Sequence, residues 1–394
     1  MTELTSTPVS GLDLHTEEAL RNPYDIYRQL RELGPVVYLS AYDAYAIPRY
    51  HAVRQVATNW QVFSSAHGVA MNDMINELSK GNVLCSDPPE HQVLREVLER
   101  PLRPERLEDY APVIQQEAAS LVAQLVAQGS FDAATELAQH LPLTVVSKLV
   151  GLGDFGRERM LEWAAASFDT LGPMNQRTVN ALPKAEEFLT FIVNDARPGQ
   201  LAPEGWVAAL FEANERGEVP KEKCPFMAID YAGPSLDTTI FGTSSAIWLF
   251  AQHPEQWDLL RERPSLIRHA INEVLRLESP IQFFTRLTKR DQEIDGVSVP
   301  AGARVILMYG AANRDERKYP EPDRFDITRR PSDHLAFGHG EHACAGMNLA
   351  RLEIRSLLEE LIKRVERFEL IDYERAVNNT LRGISRLNVR VRAA

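Results

Sequence analysis

The sequence predicts a mostly α-helical protein with a minor β component, on three observations. Apolar residues recur at helical spacing over long stretches. Strand-like alternation is confined to short pieces. Turn formers are spread along the chain instead of gathering into linkers. Of 394 residues, 44% are hydrophobic and 25% charged, an ordinary globular balance with enough apolar matter for a large core. The 24 prolines and 21 glycines mark no low-complexity spacer and no repeat is visible, so one domain over residues 1–394 is expected, although length alone allows more.

In chain order, Val36 to Leu39 and Ala44 to Pro48 read as strands. In Val113 to Ala127 the residues Ile114, Ala118, Leu121, Val122 and Leu125 form one helical stripe. Similar stripes run through residues 140–150, 184–196, 221–253, 266–278 and 346–368. Cys224 to His253 reads as one long, largely buried helix. Pro234 inside it removes an N–H and clashes with the carbonyl four residues back, at Asp230, which predicts a kink. Glu293 to Val299, Val305 to Tyr309 and Leu387 to Val391 complete the β component. Asp295-Gly296 and Pro300-Ala301-Gly302 supply turns for a small sheet corner.

The formal net charge of −12 argues against general binding of nucleic acid or an anionic membrane. Met1 to Asn22 is polar and acidic and lacks the basic and apolar regions of a signal peptide. The longest uncharged run, Thr238 to His253, is too short to span a bilayer. The expectation is a soluble, cytoplasmic protein. Cys85, Cys224 and Cys344 are far apart and form no C-x-x-C pair, which fits a reducing compartment without a disulfide framework.

The strongest chemical signal is Phe337-Gly338-His339-Gly340-Glu341-His342-Ala343-Cys344-Ala345-Gly346. Gly338 and Gly340 permit a tight loop. Cys344 falls where the last long helix starts, and the partial positive charge of a helix N-terminus lowers a thiol pKa. A thiolate on a rigid turn is what a haem iron requires as its proximal ligand. A buried inert cysteine is the plainer alternative. A zinc site from His334, His339, His342 and Cys344 is another, but the spacing matches no common zinc pattern.

The segment resembles the cysteine loop of the cytochrome P450 superfamily, F-G-x-G-x-H-x-C-x-G, at every fixed position. The resemblance implies a helix-rich triangular prism with small sheets, and heme b between a long central helix and the cysteine loop. It makes Cys344 the axial iron ligand and Phe337, Gly338, His342 and Gly346 part of the cofactor site. Asp87-Pro88-Pro89-Glu90-His91-Gln92-Val93-Leu94-Arg95 resembles the family's D-P-P-x-H-x-x-x-R, so His91 and Arg95, four apart on one helix face, are expected to grip a haem propionate. Arg286 and His342 match further propionate positions. Glu273 and Arg276 resemble the family's E-x-x-R, and Pro320 to Phe325 resembles the segment supplying a second arginine. Glu273, Arg276 and Arg324 are thus expected to form an ion network beneath the haem loop.

Leu236-Asp237-Thr238 resembles the end of the family's [AG]-G-x-[DE]-T. By that resemblance Thr238 hydrogen-bonds dioxygen and Asp237 helps relay protons; the plain alternative is local helix bonding. The sequence departs from the pattern at Pro234-Ser235. Asp230 falls on the helix face shared by residues 234 and 237, so it is weighed as a pocket residue against an ion-paired one. Family position points to segments His67 to Met74, Phe168 to Met174 and Gln282 to Phe284 as pocket walls, with Val69, Phe283 and Phe284 among their residues. Gly233 and Ser235 are further expected pocket residues, and the turn Asn378 to Gly383 is expected to reach the pocket as well. Such a lining suits a small-to-medium hydrophobic substrate, aromatic or terpenoid, and parts of the chain resemble bacterial members acting on small aromatics.

The implied reaction is insertion of one oxygen atom from dioxygen, as hydroxylation or O-demethylation. Electrons are expected from a separate ferredoxin and its NAD(P)H-dependent ferredoxin reductase, docking near Arg100, Arg103, Arg329 and Arg330. The competing readings are a peroxide-driven or non-oxygenase haem-thiolate enzyme and a non-enzymatic haem-binding sensor. The Asp237-Thr238 pair favours the oxygenase.

Overall fold

The computed structural model describes residues 7–152, 159–197 and 199–394. The ends of the single-domain expectation that fall on residues 1–6, 153–158 and 198 lie outside these. The architecture is helix-rich, with long helices at Pro104–Gln128, Gln176–Asn194, Asp237–Gln252 and Met347–Arg364.

The β component is larger than the sequence stripes suggest, because several strands are two to five residues long and carry too little pattern to read. A six-stranded sheet runs in the order Val9–Ser10, Val37–Leu39, Ala44–Ile47, Arg304–Leu307, Phe284–Thr288, Phe63–Ser64. Gln292–Ile294 and Val297–Val299 form a hairpin whose turn is Asp295-Gly296, both with positive φ. A three-stranded sheet pairs Val365–Arg375, Ile384–Ala393 and Ser130–Asp132.

The helical stripe read over 346–368 overruns its element. The helix stops at Arg364, with Lys363 and Arg364 in its last turn, where cations suit the carbonyl end. Val365 and Phe368 remain buried, but from a strand paired with Ile384–Ala393. The long helix read over 224–253 is two helices, Cys224–Ala232 and Asp237–Gln252. The backbone turns between Gly233 and Leu236, where Pro234 leaves the carbonyl of Asp230 without its helical donor.

Asp237–Gln252 lies in the core, with Ile240, Ala246, Ile247, Leu249 and Phe250 all buried. Gly242 lets it approach its neighbours: a Cβ there would sit 3.2 Å from Ile354 and 3.3 Å from Leu275. The helices Met347–Arg364 and Ile267–Glu278 pack against it, and a cavity opens between these elements and the loop before Met347.

Candidate active site

The loop carrying Cys344 is shaped by two glycines. Gly338 has φ +68 and Gly340 φ +74. A Cβ on Gly340 would lie 2.5 Å from the carbonyl oxygen of Ala57, so the loop rests directly on the Tyr50–Thr58 helix. The Cys344 N–H donates to the Phe337 carbonyl at 2.8 Å, closing the loop. Cys344 opens onto the cavity together with Phe337, Gly338, His342 and Gly346.

The N–H groups of Gly346 and Met347 at the helix end lower this thiol, as expected, together with the charges of Arg95 and Arg351, against the larger upward push of desolvation. Cys85 and Cys224 do not line the cavity: Cys85 is buried and pushed up to about 12 by that burial, and the Cys224 thiol faces the carbonyls of Leu210 and Pro220.

One edge of the cavity collects donors. The rings of His91 and His342 are 4.3 Å apart. Both nitrogens of His91 and Nε2 of His342 are buried without a partner. Burial, then neighbouring cations, pushes His91 down to about 4 and His342 to about 2. Arg95 and Arg286 both line the cavity. Arg95 bonds Glu99 at 2.6 Å and the carbonyls of Glu341 and Ala343; Arg286 reaches the Thr285 carbonyl at 2.7 Å. Unpartnered buried donors beside two guanidiniums form a site for carboxylates. A thiol facing a broad apolar cavity with such an edge matches the donor set of haem with its two propionates.

Across the cavity stand Asp230, Pro234, Ser235, Thr238 and Thr239. The Thr238 hydroxyl donates to the Pro234 carbonyl at 2.8 Å, so the helix break and the threonine are joined. Asp237 points away from the wall. Its Oδ2 is buried without a partner, and burial, then the charge of Asp169, pushes it up to about 7. Asp169, similarly pushed up by burial to about 6, accepts from the Asn379 N–H at 2.7 Å.

Phe284 lines the cavity, whereas Phe283 does not, because neighbouring strand residues face opposite sides. Phe283 packs in the core cluster of Leu30 and Ile306, its ring 5.7 Å from His15. Val69 is also off the wall: its side chain is buried, and its carbonyl accepts from Thr285 N–H at 2.9 Å. Gly233 faces Phe188 and the Ile229 carbonyl. Phe168 is the part of the 168–174 segment that reaches the cavity, and Met74 and Met174 are exposed.

Beneath the loop, Glu273 and Arg276 form a bidentate pair at 2.7 and 2.8 Å, both fully buried. Arg276 also donates to the carbonyls of Asn313 and Pro322. The second arginine is Arg329, 3.2 Å from Glu273. The Arg324 guanidinium is not in the network, being 57% exposed and paired with Glu321; Arg324 contributes only its carbonyl, 3.5 Å from Arg276. Phe325 next to it takes the buried position, which turns Arg324 outward. The pairing also removes Arg329 from the expected docking surface. Arg100 pairs with Glu218 and Arg103 reaches Glu96 at 3.9 Å, leaving Arg330 exposed.

Two groups escaped the sequence reading. Glu353 lines the cavity, with its Oε2 buried and unpartnered. Glu278 is buried among Arg314, Arg375 and Arg382. Each partner of Glu278 lies on a different segment, so no local spacing announces the cluster. Among the described residues, no group of three or more His, Cys, Asp and Glu side chains is arranged to hold a bare metal ion. The zinc reading of His334, His339, His342 and Cys344 therefore has no geometry behind it. None of the described helices is long and apolar enough to cross a membrane.

Comparison with known proteins bears on this geometry. Residues 170–386 match the family model for cytochrome P450. Cytochrome p450 CYP199A2 of Rhodopseudomonas palustris is 34% identical over 98% of this chain and 95% of its own. Linalool 8-monooxygenase of Pseudomonas putida is 30% identical over 96% of this chain and 97% of its own. The structure of cytochrome P450 CYP109Q5 from Chondromyces apiculatus superposes with TM-score 0.82 at 28% identity, covering 97% and 98% of the two chains. A thiol-bearing loop facing an interrupted helix across a donor-edged cavity, in a chain so matched from end to end, makes this protein a member of the cytochrome P450 family, a haem-dependent monooxygenase with cysteine thiolate ligation.

Proposed function

We propose that this chain hydroxylates or O-demethylates a small-to-medium hydrophobic substrate, aromatic or terpenoid, as one domain over residues 1–394 in the cytoplasm. Electrons come from a separate ferredoxin and its NAD(P)H-dependent reductase. The observation that carries the reading is the Cys344 sulfur opening onto a cavity whose opposite wall holds Thr238 at a helix break. When bound, the haem supplies activation of dioxygen, with the thiolate donating electron density.

The residues of the chain do the rest. Cys344 would ligate the haem iron, on a loop fixed by the Phe337 and Cys344 backbone bond and by Gly338 and Gly340. His91, Arg95, Arg286 and His342 would hold the propionates. Thr238 offers a hydroxyl beside the reacting atoms, and Asp237 behind it carries a proton near neutral pH. Its raised pKa lets it both give and receive that proton. Leu98, Leu102, Phe168 and Phe284 exclude water and fit an apolar substrate. Linalool 8-monooxygenase, named for a terpenoid substrate, supports that range.

The test is the absorption of the reduced, carbon monoxide-treated holoprotein. The red-shifted band of thiolate ligation is expected, and Cys344→Ser abolishes it. An unaltered band in that variant would refute the assignment. Turnover with a ferredoxin and its reductase, falling as salt is added, supports the electron route.

A further inference from the structure

The distal wall of the cavity is mostly hydrocarbon, yet it contains a carboxyl group at Asp230, two helical turns before Thr238. One of its oxygens, Oδ2, accepts from the backbone N–H of Val83 at 2.8 Å. An ionised carboxylate has about four acceptor sites on its two oxygens, and a single neutral donor leaves most of them unmet. Burial pushes Asp230 up to about 7, with the Val83 N–H and the charge of Arg95 opposing. Arg95 is itself bonded to Glu99 and to the Cys344 loop, so it acts on Asp230 only as a neighbouring charge. Cys85 and Tyr231, which also feel the charge of Asp230, are held neutral by their own burial.

Three other hydroxyls of this wall donate to backbone carbonyls. Tyr231 donates to the Leu98 carbonyl at 2.6 Å and Thr238 to the Pro234 carbonyl at 2.8 Å. Ser235 reaches the Ala232 carbonyl at 3.5 Å. Asp230 is the carboxylate of this wall that faces a substrate. A half-buried carboxylate with a single donor is short of partners that a ligand donor supplies, and a like-charged ligand is rejected.

We propose that Asp230 selects the substrate, and that the preferred substrate is an apolar molecule bearing a hydrogen-bond donor, a hydroxyl or an ammonium group, remote from the carbon to be oxidised. Carboxylates of the same shape are disfavoured. The inference rests on the monooxygenase reading of the cavity and adds the substrate class.

The experiment titrates the haem-loaded protein with para-ethylbenzyl alcohol, its methyl ether and para-ethylbenzoate, following the substrate-induced Soret shift. In the native protein the alcohol binds about tenfold more tightly than the ether, the benzoate more weakly still. Asp230→Asn keeps an oxygen for Val83 and turns an amide donor toward the ligand, so the alcohol loses its advantage over the ether and the benzoate rises in the order. Asp230→Leu removes the distinction between alcohol and ether. Native affinities within about twofold of one another, or an unchanged order in Asp230→Asn, overturn the proposal. If either variant fails to bind haem, the native order alone decides. The reduced carbon monoxide spectrum, recorded for each protein, separates failure of this inference from failure of the monooxygenase reading: a normal thiolate band with no ligand preference counts only against Asp230.

Discussion

Two sets of buried carboxylates on neighbouring helices behave oppositely. Beneath the cysteine loop, Glu273 is gripped by Arg276 and Arg329. Nearby, Glu278 is surrounded by Arg314, Arg375 and Arg382, which overcome its burial and hold it down at about 2. At or behind the cavity wall, Asp237 and Glu353 are buried and Asp230 half-buried, yet none makes such an ion pair, and burial pushes all three up. Desolvation acts on both sets; what differs is the guanidinium. Permanently charged, fully paired groups make a scaffold. Asp230 and Asp237, short of partners and near neutrality, can exchange protons or bind a ligand, which places that chemistry on the interrupted helix and the rigidity of the paired carboxylates under the loop.

Removing one member of the paired set is the most damaging change. Glu273→Ala leaves Arg276 buried and uncompensated, a loss of about 3–5 kcal/mol, read as a fall in haem-loaded protein and in denaturant midpoint. On the unpaired side, Asp237→Asn keeps the fold and haem spectrum but lowers turnover by about a hundredfold, measured as product formed per NAD(P)H with saturating redox partners.

The same variant reveals the opposite sign in stability. Asp237 is raised from 3.8 to about 7, so its contribution is fully present below the unfolded value and lost as pH rises through about 7. Asp237→Asn should therefore gain on the native protein between about pH 5 and about pH 8, by roughly 2 °C in melting temperature at the upper end; a constant difference across that range argues that Asp237 has a partner. The smallest effects separate the two arginines. Arg329→Ala costs about 1–3 kcal/mol, while exposed Arg324→Ala stays within about 0.5 kcal/mol, both read from denaturant curves. Equal losses would restore Arg324 to the network.

The sequence made the cysteine loop and the helical class readable because both are local: fixed spacings around Cys344, and stripes of three and four. The kink at Pro234 was legible for the same reason, one ring clashing with one carbonyl. What escaped depends on direction or distance. Nothing in Phe283-Phe284 says which ring faces the cavity until the strand's partner is known. Arg324 and Arg329 are both plausible partners until Phe325 claims the interior. The strand Val365–Arg375 continues a helical stripe and becomes a strand only because Ile384–Ala393 lies beside it. Glu278 gathers arginines from 36 to 104 residues downstream, a grouping invisible to any window.

One fastening reaches further still. Arg382 donates to the carbonyl of Arg21 and to the hydroxyl of Tyr24, residues 361 and 358 positions away, and Tyr24 in turn bonds the Leu277 carbonyl. A ribosome delivers Tyr24 long before Arg382. The opening segment therefore emerges without its final anchor and stays loosely held until almost the whole chain has been made, since long-range contacts form only after the intervening loop is closed. A chain ending at Leu381 would still contain Cys344 but would lack this guanidinium tie to Arg21 and Tyr24.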